Sequence, residues 1–128
     1  MAQLDIDKIE VRLGGRPVLE NLSLTVEDGE CLALLGPSGC GKTTTLRTVA
    51  GFLHFHTGDV RIGNVSVKSV PPNKRNVGIV FQDYALFPHM TVGENVAYGL
   101  EVRGVEREDI TRRVGEALEQ VHLPDFAK

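Results

Sequence analysis

No apolar run in this sequence approaches the roughly 20 residues that cross a bilayer. Its opening, Met1-Ala2-Gln3-Leu4-Asp5-Ile6-Asp7, carries acids where a secretory leader carries bases. Both observations point to a cytosolic chain. Cysteine is sparse, with only Cys31 and Cys40, and free thiols in a reducing compartment are expected rather than a disulfide. Basic charge is also in short supply: 14 Lys and Arg stand against 17 Asp and Glu, for a net charge of −3, and they are scattered. Neutralising a phosphate backbone needs clustered cations, so a nucleic-acid partner is not expected. Internal repeats, low-complexity linkers and composition shifts are absent as well, and 128 residues suffice for one small domain with a modest core.

What the sequence does have is Gly36-Pro37-Ser38-Gly39-Cys40-Gly41-Lys42-Thr43, which fits the pattern Gly, four variable residues, Gly, Lys, Ser or Thr. The run Cys31 to Leu35 before it is apolar without alternation, as in a parallel strand buried on both faces. Lys42 to Ala50 after it can form a helix with Leu46, Val49 and Ala50 on one face and Gly51 as its C-terminal glycine. Such a strand, loop and helix turn backbone N–H groups and a helix N-terminus onto one spot, which suits a polyphosphate. In this motif Lys42 reaches the β- and γ-phosphates and Thr43 coordinates Mg²⁺. Thr43-Thr44-Thr45 is a β-branched, unfavourable helix start, consistent with hydroxyls being favoured over propensity. Cys40, near a helix start, is read first as a small residue filling a variable loop position. The sharper alternative is a thiol of lowered pKa that nucleotide shields from alkylation.

Residues 4 to 13 alternate as a half-exposed strand, and Gly14-Gly15-Arg16-Pro17 makes a turn. A second strand is expected over Asn21 to Val26, and Glu27-Asp28-Gly29-Glu30 turns into the run at Cys31. Val60 to Ile62 and Val65 to Val67 read as a hairpin around Gly63-Asn64. Pro71 to Asn76 is excluded from a central strand, and its charge is taken as a solvated edge. Val77 to Phe81 is a second buried-strand candidate, delivering Gln82 at its end. The loop Asp83 to Met90 is apolar enough to be covered by something. Thr91 with Glu94 forms a capping box for a helix through Val92, Val96 and Leu100 to about Arg103-Gly104. A last helix, about Arg107 to His122, places Ile110, Val114, Ala117, Leu118 and Val121 on one face and ends at Leu123-Pro124.

Three stretches in order, Gly36 to Thr44, Val80-Phe81-Gln82 and Ala85 to Val92, resemble the first half of an ABC transporter ATPase. Leu86-Phe87-Pro88-His89-Met90-Thr91-Val92 is similar to the importers for sugars, polyamines, ferric iron and sulfate. The resemblance implies an α/β P-loop NTPase fold, a mixed sheet with an antiparallel β subdomain and the start of a helical subdomain, incomplete here. Residues 1–90 would form the strand-rich part and 91–128 the beginning of the helical one. It implies ATP and Mg²⁺ as ligands, with Gly36, Pro37, Ser38, Gly39, Cys40, Gly41, Lys42, Thr43 and Thr44 around the phosphates. Lys42 and Gln82 would serve the chemistry, and Thr43 and Gln82 the metal. Leu13 stands where the family usually places an adenine-stacking aromatic, which leaves apolar contact without a ring. The implied partners are a second copy, head to tail, and a permease reached through Tyr84 to Met90, which would hold the protein at the inner face of the cell membrane.

The family's Walker B carboxylates, signature sequence and switch histidine find no match, and none of His54, His56, His89 and His122 is placed to replace that histidine or to bind metal. The chain therefore reads as a fragment that binds nucleotide but hydrolyses it poorly, marginally stable and prone to associate. Two other readings are a truncated, non-hydrolysing partner-binding chain and a small P-loop kinase. The kinase reading is weakened by the strands that precede the loop and the lack of an Arg-rich lid.

Overall fold

The computed structural model describes residues 2–39 and 41–128. The chain divides into two compact units, Met1–Ile79 and Val80–Lys128.

The first unit is built on an antiparallel sheet of four strands in the order β2-β1-β3-β4, with β1 Leu4–Leu13, β2 Arg16–Val26, β3 Thr57–Ile62 and β4 Val65–Ser66. Simple alternation along β1 does not hold, because the buried residues are Ile6, Ile9 and Val11. The pairing register with β2 shifts between Ile6 and Ile9, and Lys8 takes φ 48°, so a bulge resets the phase and returns Ile9 to the core face. Asn21 (φ 49°) does the same for β2, returning Leu22 to the face of Leu19. At the bulge the Lys8 N–H donates to the Ser23 hydroxyl at 2.8 Å, replacing a ladder partner. Ile6, Ile9, Val11, Leu19, Phe55, Val60 and Val67 make the core. The first turn is tighter than expected, since Gly14 and Gly15 suffice and Arg16 and Pro17 already belong to β2. The hairpin around Gly63-Asn64 forms as expected.

Helix α1 runs Lys42–Ala50, closed by Gly51 (φ 94°), whose N–H donates to the carbonyls of Arg47 and Thr48. Of the expected face, Ala50 is buried and Val49 packs against the core, whereas Leu46 is exposed and Thr45 and Thr48 face inward as well. Burying these threonines costs no unpaired hydroxyl, because Thr45 Oγ1 donates to Gly41 O at 2.8 Å and Thr48 Oγ1 to Thr44 O at 2.7 Å.

Two expectations fail for a shared reason. Neither Cys31 to Leu35 nor Val77 to Phe81 forms a strand; both are irregular, and Leu35 (91% exposed) and Val80 (92%) stand in solvent. A buried parallel strand exists only between neighbours, and no strand among the described residues pairs with either segment. In the first unit an apolar cleft of about 460 Å³ remains, lined by Leu4, Ile6 and Leu24 of the sheet and by Leu34, Val49 and Ile79. The connector Pro71 to Asn76 is no strand, as expected, and contains a 3₁₀ turn at Pro72–Lys74. Its charge is not simply a solvated edge, however, because Arg75 is buried.

The second unit holds α2 Val92–Val102 and α3 Arg107–Gln120. The capping box forms: Glu94 N–H donates to Thr91 Oγ1 at 3.2 Å and Thr91 N–H to Glu94 Oε2 at 2.7 Å. The inward face of α2 is Gly93 and Ala97, whereas Val92 and Val96 are exposed, so the expected stripe is rotated. On α3 the expected face holds for Ile110, Val114 and Leu118 and fails at Val121, which lies past the helix end in solvent.

Candidate functional site

The loop between β2 and α1 ends in a close approach to β2. Gly41, at φ 96°, is buried, and a Cβ there would lie 2.7 Å from Leu19 Cδ2 and 3.5 Å from the Val18 carbonyl. Only glycine lets the chain rest on β2 and enter α1 at this angle. Gly39 takes φ 83° in open space, where its role is conformational alone. Gly36 to Gly39 are all exposed.

Helix α1 then starts without a side-chain cap, and no acid stands in its first turn. No acid of its own first turn therefore offsets the positive end of its dipole. Lys42, half-buried, curls its ammonium back over the loop and donates to the Gly36 carbonyl, with the Pro37 carbonyl at 3.5 Å. One cation, an uncapped helix start and a glycine turn thus converge on one solvent-facing spot. That donor set suits a polyphosphate: it offers N–H groups and an ammonium, with no acid in the helix's first turn. Thr43, at the second helical position, is exposed and offers a neutral hydroxyl, a ligand that a hard cation accepts while keeping most of its waters. Thr44 is half-buried and Ser38 is exposed in the turn. Cys40, with both of its readings, lies outside the described residues.

Leu13 is at the exposed tip of the β1–β2 hairpin, 43% accessible, where it pairs with Arg16. The same hairpin supplies Leu19 beneath Gly41, so Leu13 and the loop share a structural support. Gln82 is exposed in a turn closed by Tyr84 N–H to Phe81 O at 3.1 Å, and belongs to the second unit. Beyond it, Tyr84 (φ 65°) and Leu86 are exposed, 78% and 69%. Phe87 instead packs locally, its ring 4.6 Å from that of Tyr98. Asn95 fixes the loop, accepting from Phe87 N–H at 2.8 Å and donating to the carbonyls of Phe87, Met90 and Thr91.

Sequence reasoning missed Leu19 because it carried the turn through Pro17 and began the strand at Asn21. The apolar pair Val18-Leu19 was the available signal. Arg75 offered none, since in sequence it is one more cation after Lys74.

Comparison with known proteins agrees with this geometry. A family described as ABC transporter matches residues 19–128. Three relatives, each named spermidine/putrescine import ATP-binding protein PotA, align with most of the chain. The one from Nitrosospira multiformis is 49% identical over 98% of this chain and 35% of its own length. That from Acidothermus cellulolyticus is 52% identical over 96% and 32%, and that from Thermobifida fusca 54% over 86% and 29%. The chain thus spans about a third of the length of these relatives. A match over nearly the whole chain displaces the small-kinase reading. With its glycine loop, lysine and uncapped helix in the order described, the chain belongs to the ABC transporter ATP-binding family, and its fold class is that of the P-loop NTPases.

Proposed function

We propose that residues 36–44 bind the polyphosphate of ATP, and that in a protein of the relatives' full length hydrolysis of this ATP powers solute import through a membrane permease. The observation that carries the reading is the convergence of Lys42, the Gly39 and Gly41 turn and the uncapped start of α1.

In this reading Lys42 leaves the Gly36 carbonyl for the β- and γ-phosphate oxygens, and the loop and first-turn amides take the remaining oxygens. Thr43 would hold Mg²⁺ through its hydroxyl, and Gln82 through its side-chain oxygen, which ligates without titrating. Bound Mg²⁺ neutralises charge on the β- and γ-phosphates. Gln82 would also orient water. Leu13 would offer the adenine apolar contact without stacking. Hydrolysis by residues 1–128 alone is expected to be weak, because no described side chain beyond Gln82 is assigned to position water.

The division into a strand-rich part, 1–90, and the start of a helical subdomain, 91–128, belongs to the same proposal. So do a head-to-tail pairing of two copies and a permease contact through Tyr84 to Met90, supported by the exposure of Tyr84 and Leu86. The relatives' names make a spermidine or putrescine importer the best-supported setting. That setting puts the protein in the cytoplasm, held peripherally at the inner membrane face. No helix of the described residues is long and apolar enough to cross a membrane, and the scattered basic residues give no support to a nucleic-acid partner.

Isothermal calorimetry with Mg-ATP beside a phosphate-release assay tests the proposal. Binding without appreciable turnover is expected for residues 1–128. Folded protein that gives no binding signal at millimolar Mg-ATP overturns it.

A further inference from the structure

We infer that Arg75 is a positioning residue for nucleotide binding: it anchors the C-terminal end of α1 and thereby sets where Lys42 and the first-turn amides stand.

Arg75 is 7% exposed, and no carboxylate among the described residues forms an ion pair with it. An arginine buried without an anion must satisfy its charge by other means. Here it does so on backbone carbonyls alone. Nη1 donates to Thr48 O and to Val49 O, both at 3.1 Å, and Nε donates to Val70 O at 2.8 Å. Thr48 and Val49 lie in the last turn of α1, whose carbonyls carry the negative end of the helix dipole. The guanidinium is therefore the counter-charge of that helix end. Burial pushes the Arg75 pKa down from its ordinary value, yet that value is so high that the group stays charged.

The surroundings are shaped for this group. A Cβ on Gly51 would lie 2.7 Å from Nε, 2.9 Å from Cζ and 3.2 Å from Pro72 Cγ, so the glycine that ends α1 also makes room for the guanidinium. The Arg75 backbone is held in turn, its N–H donating to Pro72 O at 3.3 Å. One planar fork thus ties residues 48–49 to the connector at Val70, while the Arg75 backbone is held at Pro72.

That tie acts on the phosphate loop through the helix. α1 has nine residues and no side-chain cap at its start. Lys42 is roughly 10 Å from the anchored carbonyls at 1.5 Å per residue. Over such a lever a tilt of about 5° moves the first turn by roughly 1 Å, enough to spoil several hydrogen bonds to one phosphate. A lysine cannot replace the fork, since a point charge on a flexible stem does not hold three carbonyls in fixed directions.

This inference rests on the proposed ATP binding, and the test separates the two. Mg-ATP affinity of residues 1–128 is measured by calorimetry for the wild type, Arg75→Ala and Arg75→Lys, each at a temperature well below its own melting midpoint. Arg75→Ala is then titrated with millimolar guanidinium chloride, with sodium chloride as the control. We expect both variants to bind about tenfold more weakly or worse, and guanidinium but not sodium to restore most of the affinity of Arg75→Ala. A wild type that does not bind overturns the ATP reading and this one with it. If the wild type binds, folded variants of unchanged affinity, or a loss that guanidinium leaves untouched, reduce Arg75 to a fold-stabilising residue. Should Arg75→Ala not fold, Arg75→Lys decides alone: wild-type affinity refutes the inference and weakened binding supports it.

Discussion

The ammonium of Lys42 donates to the carbonyl of Gly36, six residues earlier, across the mouth of the loop. In this arrangement the cation already faces the spot that a phosphate would occupy, and binding exchanges a neutral acceptor for an anionic one. The exchange is favourable because the carbonyl offers the ammonium only a dipole, whereas a phosphate oxygen adds attraction between opposite charges. Lys42→Ala should therefore leave the melting midpoint within about 2 °C, since the lost bond is solvent-exposed and worth little. Mg-ATP affinity should fall by at least tenfold, corresponding to about 1.5–3 kcal/mol for a charged hydrogen bond. A calorimetric Kd that does not move would remove Lys42 from the site.

Gly41 and Gly39 share a left-handed backbone but differ in surroundings, and the difference is measurable. Gly39→Ala meets only the conformational penalty at φ 83°, about 1–2 kcal/mol, because nothing lies within 4 Å of its Cβ position. Gly41→Ala meets the same penalty at φ 96° and also strikes Leu19 Cδ2 at 2.7 Å. Urea titration should thus rank Gly41→Ala as the less stable of the two. Leu19→Ala combined with Gly41→Ala should recover the steric part of the loss, beyond what additivity gives. Equal midpoints for the two glycine variants would show that the loop does not rest on β2.

How much of this was legible in the sequence follows from which interactions are local. The glycine loop, α1, the hairpin at Gly63-Asn64 and the capping box at Thr91 depend on residues a few positions apart, and they were readable as written. The segments Cys31 to Leu35 and Val77 to Phe81 were not, because an apolar run becomes a strand only when neighbours pair with it. The bulges at Lys8 and Asn21 were hidden too, since they appear only when two strands are set side by side. At Arg75 burial arises from contacts 26 and 27 residues away. No local pattern distinguishes that cation from Lys74. On α1 and α2 the expected faces hold only in part, failing at Leu46, Val92 and Val96, because periodicity locates a stripe without saying which small residues the neighbours press against.

Thr91 and Glu94 make the entry to α2 a stability test independent of nucleotide. Each satisfies an N–H of the other, and the two bonds close before any tertiary contact is needed. Thr91→Ala should cost about 1 kcal/mol, and Thr91→Ser should retain most of it. Because the box belongs to the second unit, loss of the cap should speed amide exchange at residues 93–95 well before it affects β1. Uniform acceleration across the whole chain would contradict this, as would an unchanged midpoint.

Acid should unlock the short strand β4 through Asp59. The Ser66 hydroxyl donates to Asp59 Oδ1 at 2.6 Å, Arg61 Nε lies 3.0 Å from Oδ2, and the Val60 N–H donates to Oδ1 at 3.0 Å. The Ser66 bond above all, followed by Arg61 and Val60, holds this carboxyl below the ordinary aspartate value despite partial burial, which acts the other way. A folded pKa lower than the unfolded one means that the folded state binds the proton less readily. The stabilisation is then fully present above the unfolded value of about 3.9, and it disappears as pH falls through the folded pKa. Ser66→Ala and Asp59→Asn should each lower the unfolding free energy read from urea titration at pH 7, by less than about 1 kcal/mol for so exposed a cluster. Their deficit relative to the wild type should shrink as pH drops below about 4. A deficit that stays constant from pH 7 to pH 2.5 would mean that Ser66 and Asp59 contribute by packing rather than by holding a charge.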